Sequence, residues 1–383
     1  MKSLQSHIYH ITEDHTPANF GVTAVVTQLT RYLAGRGWPT TVCAAGVAET
    51  PVPERVGLAQ FHLLPWGQPW RYSGRSMMAY LRGIGGNSGA ILHLHGVWKA
   101  PQWQAARAAC RSAVPAILSP HGMLNPWLWQ DGRLRRVKKL TYWQTLAYPA
   151  FRHLPLIHAI TPLERDNLAS QFPGQRLEVI PNAIDLKEVD VLAGTEDFPD
   201  PPLDRPYLLF LGRLHVSKGV DLLITAFAQV SKRHTFRLLI AGPESTPGFT
   251  ARLKAQVHAL GLEEQVSFLG PIFGAKKWQI MRQAWAVCNP SHSEVVGMVN
   301  LEAAATRVPV VTTHETGLYD WEEGGGLLVH PRAADLARGL SQVLDWSESE
   351  RNDRGRALRR LVEKRYCWEA VGPQWLELYA SLR

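Results

Sequence analysis

The chain has 383 residues, which is more than a single hydrophobic core usually accommodates and suits two domains. An apolar fraction of 45% with a charged fraction of 19% excludes a disordered chain, and no run approaches the ~18 apolar residues of a membrane span. The formal net charge of +8 favours an anionic partner, such as nucleotide phosphates, acidic lipid or nucleic acid.

The first half of the chain alternates short apolar strands with helical patterns. SHIYHIT predicts a strand and GVTAVVTQLTRYLAGRG an amphipathic helix; TTVCAAG, AILHLHG, PAILSPHG, LIHAIT and LEVIPN predict further strands up to about residue 182. Within AILHLHG, His93 and His95 alternate and so point to one face of the strand. Strand-end or core histidines are the favoured interpretation, because the sequence offers no third ligand for a metal.

A basic segment, DGRLRRVKKLTYW, lies at residues 131–143. Leu134, Val137 and Leu140 fall on one helical face. Cations cluster around that face and tryptophans flank it: Arg133, Arg135, Arg136, Lys138 and Lys139, with Trp127, Trp129 and Trp143. This composition is typical of a helix lying on an anionic membrane. A solvated basic helix is an equally good interpretation.

The segment DLKEVDVLAGTEDFPDPPLDRP, close to residues 186–206, is acidic and proline-rich, which predicts an interdomain linker. A second strand–helix series follows, from YLLFLGRL to GGLLVHP. Near-continuous apolar strands alternating with helices predict parallel sheets covered on both faces. The fold class is therefore α/β, with two doubly wound domains. Ligands of such sheets bind beyond the carboxyl ends of the strands, so a cleft between the domains is expected to hold the ligand.

Two cations stand in LFLGRLHVSKG, residues 209–219. Arg213 and Lys218 lie between the end of a predicted strand and Gly219, where a helix begins. Cations beside a helix start can clamp a diphosphate. A solvated basic turn explains this segment equally well.

Two carboxylates stand in PSHSEVVGMVNLEAAA, residues 290–305. Gly297 lets the backbone approach a ligand and begins a helix whose N-terminus attracts phosphate. Glu302, about one turn inside that helix, can accept hydrogen bonds from ribose hydroxyls, and Glu294 can meet sugar hydroxyls. For this segment alone, an acidic residue favoured by the helix dipole plus a surface glutamate is the simpler interpretation.

Taken together, FLGRLHVSKG and, about 80 residues later, PSHSEVVGMVNLEAA and VPVV resemble the nucleotide-sugar domain of retaining glycosyltransferases of family 4, which have the GT-B fold. GVTAVVTQLTRYLAGRGWPTTVC, SPHGML, VIPNAID and YCWEAVGPQWLELYASL extend the resemblance over nearly the whole chain. It implies two Rossmann-like domains facing across a cleft: an acceptor-side domain at 1–185 completed by a C-terminal helix at about 365–383, a linker at 186–206, and a nucleotide-sugar domain at 207–364.

The resemblance implies a role for each matched residue. Arg213 and Lys218 would hold the donor diphosphate and stabilise the charge of the leaving group. Glu302 would bind the ribose, Glu294 would contact hydroxyls of the donor sugar, and His121 of SPHGML would lie near that sugar. Other substrate contacts would come from glycine-containing loops and from the segment lying against the base: Gly21, Gly212, Pro271, Ile272, Phe273, Gly297, Met298 and Val299.

Three positions depart from the family pattern. ANFG keeps only Gly21 where the family often has a glycine pair, which affects contacts near residues 19–21. Val295 and Val296 replace a bulky or proline residue and an aromatic, which affects the sugar pocket. Arg307 stands where a small residue is usual. No departure removes a charged residue of the implied site.

The implied activity is retaining transfer of a hexosyl group from a nucleotide diphosphate sugar to a glycan hydroxyl. The acceptor would be a lipid-linked glycan of lipopolysaccharide, capsule or exopolysaccharide assembly. No Asp-x-Asp pair occurs, so we expect no required metal and no other cofactor. A transferase with a soluble acceptor (a glucan, a sucrose-type sugar or a small molecule) and a non-enzymatic protein that binds nucleic acid through 133–139 are the alternatives.

The expected compartment is the cytoplasm, with the protein on the inner face of the membrane if the basic helix binds lipid. Four widely spaced cysteines form no CxxC pair and no Cys/His metal spacing, as expected of a reduced protein. The segment MKSLQSHIYHITEDH has no apolar region of the signal-peptide kind.

Overall fold

The computed structural model describes residues 6–12, 20–45, 55–56, 59–64, 83–84, 89–130, 132–194, 205–233 and 235–382. The chain divides into two compact units. The N-terminal unit comprises Met1–Ala183 and Val371–Arg383, and the C-terminal unit comprises Ile184–Ala370.

The N-terminal unit is built on an eight-stranded sheet with the order β3-β4-β2-β1-β5-β6-β7-β8. Every pairing is parallel except that of the short strand β3 with β4. Its strands are β1 (His7–Thr12), β2 (Thr40–Ala45), β3 (Arg55–Val56), β4 (Ala59–Leu64), β5 (Ala90–His95), β6 (Ala116–Ser119), β7 (Leu156–Ala159) and β8 (Arg176–Val179).

Helices cover this sheet: α1 (Phe20–Gly35), α2 (Ala100–Ser112), α3 (Arg133–Tyr142), α4 (Tyr148–Phe151) and α5 (Pro162–Gln171). A π-helical turn at Trp143–Ala147 joins α3 to α4. Pro149 has no N–H to donate to the carbonyl four residues earlier, which accounts for the widened turn.

The C-terminal unit has a parallel six-stranded sheet with the order β11-β10-β9-β12-β13-β14. Its strands are β9 (Tyr207–Leu211), β10 (Arg237–Ala241), β11 (Val266–Gly270), β12 (Ala286–Asn289), β13 (Val310–Thr313) and β14 (Leu327–Val329). Its helices are α6 (Leu186–Gly194), α7 (Val220–Val230), α8 (Phe249–Ala259), α9 (Gly274–Gln283), α10 (Met298–Ala305), α11 (Ala333–Leu344) and α12 (Glu348–Arg365).

The central strands of both sheets are buried along their whole length. In β5, β9, β12 and β13 every residue is buried, as expected for strands covered by helices on both faces. The two doubly wound α/β units predicted from the strand–helix alternation are therefore confirmed. Among the described helices, none combines the length and the apolarity needed to cross a bilayer.

The interpretation of residues 186–194 as linker is wrong, because this segment forms α6. Asp185 begins the helix, and its Oδ1 accepts hydrogen bonds from the amides of Lys187 (3.0 Å) and Glu188 (3.1 Å). The helix buries Val189 within the C-terminal unit. Residues 195–204 of the predicted linker lie outside the described part of the chain.

The C-terminal helix α13 (Trp368–Ala380) starts in one unit and continues in the other. From Val371 onward it belongs to the N-terminal unit, where Tyr379 is fully buried and bonded to His93. The unit boundary therefore lies inside α13.

Arg359 on α12 forms hydrogen bonds to two other helices of the C-terminal unit, α6 and α10. Its guanidinium donates to the Ala305 carbonyl at 2.7 Å and to both carboxylate oxygens of Asp190 at 2.7 and 2.8 Å. The side chain is only 10% exposed, whereas that of Asp190 is 57% exposed. The bond to the carbonyl therefore contributes more to stability than the partly solvated ion pair.

We predict that Arg359→Met lowers the free energy of unfolding by about 2–3 kcal/mol, because the Ala305 carbonyl loses a charge-assisted hydrogen bond. The measurement is urea unfolding followed by circular dichroism. Arg360→Met changes an exposed arginine one position away and is the matched control, with an expected change within about 0.5 kcal/mol. Equal effects of the two substitutions would contradict the assigned role of Arg359.

Candidate functional site

The order of the C-terminal sheet places two predicted site loops side by side. From the adjacent central strands β9 and β12, the chain continues outward to β10 and β11 on one side and to β13 and β14 on the other. The loops after β9 (212–219) and after β12 (290–297) therefore meet at the switch point of the sheet, where α/β proteins bind ligands.

Close backbone contacts hold these two loops together. The His292 amide donates to the Ser217 carbonyl at 2.8 Å. Gly219 has φ = 65°, and a Cβ atom there would stand 2.2 Å from the Pro290 carbonyl oxygen. Only glycine fits this position, which explains why the basic turn predicted from the sequence closes on Gly219.

Lys218 and Glu294 form an ion pair across the two loops. Their side chains are 15% and 19% exposed, so the pair is largely shielded from water. Arg213, in contrast, is exposed and makes no hydrogen bond or ion pair with any other described residue. The structure thus pairs two of the three predicted charges and leaves Arg213, in the same loop as Lys218, available to an anionic ligand.

Glu302 is the fifth residue of α10 and lies about one turn inside the helix, as predicted. Its Oε1 accepts a hydrogen bond from the Lys277 ammonium at 2.6 Å. Its Oε2 is buried and has no hydrogen-bond partner among the described residues. A buried carboxylate oxygen without a donor is costly, and a ligand hydroxyl would satisfy it.

Sequence reasoning missed Lys277. This residue lies in the first turn of α9, and its ammonium is also 4.7 Å from the centroid of the Trp278 ring. The paired lysines of GAKKWQ, directly after a loop expected to contact the base, were the signal in the sequence. Since α9 and α10 are far apart in sequence, only the fold shows that Lys277 reaches Glu302.

The start of α10 has the geometry expected of a phosphate-binding helix terminus. Gly297 precedes the helix with φ = 68°, followed by Met298 and Val299 in the first turn. A Cβ atom on Gly297 would stand 3.1 Å from the Glu294 Cγ and from the Asn300 Nδ2. Glycine therefore allows the glutamate loop to approach the helix terminus closely.

Val296 is fully buried and has a left-handed backbone, with φ = 65°. For a β-branched residue this conformation costs roughly 1–3 kcal/mol. Hydrogen bonds fix it: the Val296 amide donates to the Thr316 carbonyl at 2.9 Å, and the Asn300 side chain donates to the Val296 carbonyl at 2.7 Å. The valine that departs from the family pattern is thus a strained, tightly held residue of this loop.

The remaining predicted residues of the C-terminal unit follow neighbouring strands. Gly212 directly follows β9, and its amide donates to the Ala241 carbonyl at 3.0 Å. Pro271, Ile272 and Phe273 connect β11 to α9, with Ile272 buried and the Phe273 side chain 56% exposed. Because Lys277 on α9 bonds to Glu302, this loop lies on the same side of the sheet as the glutamate site.

In the N-terminal unit, Gly21 lies in the first turn of α1 and a Cβ atom there would meet nothing within 4 Å. The neighbouring Asn19 lies outside the described residues. His121 lies two residues after the end of β6 and has a left-handed backbone, with φ = 54°. Thus the structure places Gly21 and His121 in one unit and the other predicted site residues in the other.

Glu164 fixes the backbone beside His121, and sequence reasoning missed it. Its Oε1 accepts from the Gly122 amide at 2.6 Å and its Oε2 from the Ile160 amide at 2.7 Å. Burial raises the pKa of this carboxyl to about 7, although both hydrogen bonds act in the opposite direction. The pattern TPLE, a helix capping signature, was the signal.

A hydrogen-bonded cluster of histidines lies in the N-terminal sheet and the loop after β6. His10, His93, His95 and His158 are buried, and His121 is partly buried. His93 and His95 share one face of β5 as predicted, with ring centroids 4.0 Å apart. His10, paired with His93 in the register of β1 and β5, is the third histidine that sequence reasoning did not find. Ring nitrogens of His10, His93 and His95 lie within 4.8 Å of one another, so the metal alternative has three candidate ligands.

Burial is the main cause of lowered pKa values throughout this cluster. The pKa falls to about 3 for His10 and His121 and to about 4 for His158, and it lies well below 6.5 for His93 and His95. Neighbouring histidines lower it further for all except His158, whose bond to the Ile180 carbonyl opposes the shift. These imidazoles are therefore uncharged at neutral pH.

Helix α3 is confirmed within the basic segment, and it contains no buried residue. Leu134, Val137 and Leu140 are 82%, 55% and 39% exposed. The interpretation of Trp143 as a residue flanking an exposed face is wrong, because it is 4% exposed and packs in the core of the unit. Trp129 packs against the rings of Trp98 and Trp143. The aliphatic and basic side chains, rather than these two tryptophans, face solvent.

Two family models match the chain. The model described as "Glycosyltransferase Family 4" matches residues 21–188, and the model described as "Glycosyl transferases group 1" matches residues 195–360. Each coincides closely with one structural unit.

Curated relatives match over part of their length. An uncharacterized glycosyltransferase from Methanocaldococcus jannaschii is 30% identical over 220 residues, which cover 54% of each chain. A D-inositol 3-phosphate glycosyltransferase from Corynebacterium aurimucosum is 34% identical over 190 residues, which cover 47% of this chain and 44% of the relative. The matches thus span about half the length of these relatives.

Solved structures match over nearly the full length at low identity. Sucrose-phosphate synthase from Thermosynechococcus elongatus has a TM-score of 0.78 at 20% identity, with 99% of each chain covered. HepE from Anabaena in complex with UDP and glucose has a TM-score of 0.75 at 17% identity, with 99% of this chain and 100% of that chain covered. At these identities the likeness establishes the fold.

We predict that the buried histidines make the protein sensitive to acid. Their lowered pKa values mean that, as pH falls below about 6.5, the unfolded chain takes up protons that the folded protein does not, so stability decreases. At pH 5 each such histidine costs roughly 2 kcal/mol relative to pH 8. Glu164 acts oppositely, because its raised pKa favours the folded state as pH falls from about 7 to 4.5, but one carboxyl opposes five histidines.

The measurement is the urea midpoint between pH 8 and pH 5. His158→Gln keeps a donor for the Ile180 carbonyl but removes one titrating group, so it should reduce the dependence on pH. His153→Gln changes an exposed histidine and should leave the dependence unchanged. A midpoint that stays constant over this range would contradict the uncharged, buried state of the cluster.

Proposed function

Because the chain is a family-4-like glycosyltransferase with the GT-B fold, we propose that it transfers a hexosyl group from a nucleotide diphosphate sugar to a hydroxyl group of a glycan. We further propose that the transfer retains the anomeric configuration and requires no metal ion. The donor would bind at the switch point of the C-terminal sheet, between the loops that follow β9 and β12.

The observation that carries this proposal is the incomplete pairing of charge at that point. Glu294 and Glu302 each have a lysine partner, whereas Arg213 has none among the described residues. The proposed site, next to the N-terminus of α10, therefore contains more cationic side chains than carboxylates. A diphosphate fits this excess of positive charge, and a ribose hydroxyl fits the unsatisfied Oε2 of Glu302.

The chemistry follows from the same residues. The bond between the anomeric carbon and the phosphate oxygen breaks, and the electron pair leaves with the diphosphate. Arg213, Lys218 and the amides at the start of α10 would stabilise the developing charge. The acceptor hydroxyl attacks from the face that the phosphate leaves, and its proton passes to the departing phosphate oxygen. These fixed cations would do the work that a divalent ion does in metal-dependent transferases.

The structure of HepE suggests which nucleotide sugar to test first as the donor. That structure holds UDP and glucose, and its overall fold matches this chain. We therefore propose a UDP-hexose as the first donor to test. Pro271–Phe273 would lie against the base, and the strained Val296 would help to shape the sugar pocket.

The acceptor side of the proposal rests on α3. Lys139 points toward the protein body, since its ammonium donates to the Leu128 carbonyl at 2.7 Å. Val137 is two residues away, which is about 200° around the helix, so it points outward. Leu134 and Leu140 flank Val137 on this outward face, and the exposed Arg136 and Lys138 border it. An apolar ridge with cationic borders fits an anionic lipid surface.

We therefore propose that the protein lies on the cytoplasmic face of a membrane and acts on a lipid-linked glycan of lipopolysaccharide, capsule or exopolysaccharide assembly. A soluble acceptor is the second candidate. It is favoured by the names of relatives, namely D-inositol 3-phosphate glycosyltransferase and sucrose-phosphate synthase. Membrane binding through α3 separates the two, because a soluble acceptor requires none.

We predict that one of UDP, GDP and ADP raises the melting temperature in the presence of EDTA. A ligand at a hundred times its dissociation constant stabilises the folded state by about 2.7 kcal/mol, which corresponds to a shift of several degrees. Arg213→Ala should abolish the shift. Arg233→Ala, an exposed arginine just after α7, should retain it and is the matched control.

The outcomes separate the parts of this proposal. A shift that appears only with added Mg²⁺ would refute independence from metal but keep the donor site. If no nucleotide produces a shift in the wild type, or if Arg213→Ala retains it, the assigned donor site is wrong.

We predict that the protein sediments with vesicles containing phosphatidylglycerol and does not sediment with phosphatidylcholine alone. Leu134→Asp combined with Val137→Asp should weaken binding at least tenfold, because burial of each apolar side chain contributes about 1.5–3 kcal/mol when complete. Val191→Asp alters an exposed valine on α6 and should have no effect. Failure to bind anionic vesicles, with salt-dependent binding to DNA or RNA, would favour the nucleic-acid alternative.

A further inference from the structure

Two buried imidazoles and one partly buried imidazole form a continuous hydrogen-bonded chain in the N-terminal unit. His10 Nδ1 and His95 Nε2 are 3.0 Å apart, and His95 Nδ1 and His121 Nε2 are 2.9 Å apart. His10 stands on β1, His95 ends β5 and His121 follows β6, so the chain runs across three neighbouring strands. It begins in the core and ends at the predicted site histidine.

The number of protons in this chain is fixed. A neutral imidazole carries one N–H and one bare nitrogen, and each contact needs one donor and one acceptor. Burial keeps all three rings uncharged at neutral pH. Consequently, either both shared protons are donated toward His121 or both are donated toward His10. Any other arrangement of three neutral rings would leave two protons, or no proton, in one contact.

The inner end of the chain decides between these two directions. His10 Nε2 is buried and has no hydrogen-bond partner among the residues that the structure describes. If the protons pointed inward, this nitrogen would carry an N–H without an acceptor. If they point outward, it is only an unused acceptor. Buried donors without a partner are rarer and cost about 1–3 kcal/mol. The outward direction is therefore favoured: His10 donates to His95, and His95 donates to His121.

The outer end then presents a defined group. When His121 Nε2 accepts a hydrogen bond, the proton of its neutral ring must be on Nδ1. This nitrogen has no hydrogen-bond partner in the part of the chain that is described, and the His121 side chain is only partly buried. The ring thus offers an uncharged N–H donor at the carboxyl edge of the N-terminal sheet.

We propose that His95, at the centre of this chain, is a positioning residue, which holds His121 as the neutral tautomer with its proton on Nδ1 so that it donates a hydrogen bond to an oxygen of the transferase's substrates. The catalytic part of this proposal rests on the proposed function. The tautomer itself does not.

A second chain beside the first is complete, and this argues against a metal centre. His158 Nε2 must donate to the Ile180 carbonyl at 2.8 Å, so its Nδ1 accepts from the Ser119 hydroxyl. Ser119 then accepts from His93 Nε2, and His93 Nδ1 accepts from the Tyr379 hydroxyl. Both nitrogens of His93 are therefore used. Among His10, His93 and His95 only His10 Nε2 is left over, whereas zinc needs at least three bare ligands.

Nitrogen-15 NMR of the full chain with labelled histidine tests the tautomer, because protonated and bare ring nitrogens have well separated shifts. His121 signals are assigned by comparison with His121→Asn. We expect Nδ1 to be protonated and Nε2 to be bare at neutral pH. His95→Leu removes the donor to His121 Nε2 and should allow both tautomers, whereas His95→Asn places an amide donor near the former Nδ1 and should restore the wild-type state. His158→Leu breaks the second chain and should leave His121 unchanged.

Kinetics test the catalytic part. We expect His95→Leu to lower kcat about tenfold with little change in KM for the nucleotide sugar, and His95→Asn to recover most of that loss. His121 protonated on Nε2 in the wild type, or zinc that co-purifies and is lost in His95→Leu, would overturn the assigned direction of the chain. The expected tautomer together with a kcat that is insensitive to His95 would overturn the positioning role. If no donor supports turnover, the proposed function fails while the NMR result still decides the tautomer.

Discussion

The parallel pairing of β9 with β12 is the constraint on which the proposed donor site depends. Leu208 pairs with Ala286 and Leu209 with Val287, so two strands about 80 residues apart in sequence end at the same edge of the sheet. Loops that follow adjacent parallel strands must then meet. The close approach of Gly219 to the Pro290 carbonyl and the pairing of Lys218 with Glu294 are consequences of this register. A shift of one residue would turn the strand side chains to the opposite face.

The lysine–glutamate pairs show how such a site can remain folded before a ligand arrives. Glu294 and Glu302 are both mostly shielded from water, and an unpaired carboxylate in that position would cost several kcal/mol. Lys218 and Lys277 remove that cost. Phosphate oxygens can compete with Glu294 for Lys218, since both are anionic acceptors. Binding a diphosphate would then release a carboxylate for sugar hydroxyls, which couples occupation of the phosphate subsite to preparation of the sugar subsite.

Sequence reasoning succeeded where a feature depends on neighbours along the chain. Apolar strands alternating with helices were sufficient for the two parallel sheets, and the position of Glu302 inside α10 followed from Gly297. It failed where distant segments meet. His10 becomes a neighbour of His93 only through the register of β1 and β5, and Lys277 reaches Glu302 only because the fold brings the first turn of α9 within reach of α10. Periodicity identified the exposed ridge of α3, but could not reveal that Trp143 turns into the core.

The loops that contain His121 and Val296 share one feature, a left-handed backbone at a residue that is not glycine. Glycine would adopt φ = 54° at His121 or φ = 65° at Val296 without strain, yet both positions carry a side chain. At His121 the ring is the outer end of the imidazole chain, and at Val296 the side chain fills the core. Each loop is held by a hydrogen bond to a neighbouring segment, from the Gly122 amide to Glu164 on α5 and from the Val296 amide to the Thr316 carbonyl after β13. The strain is therefore tolerated because these loops are fixed before any substrate binds, and a fixed loop loses little entropy on binding.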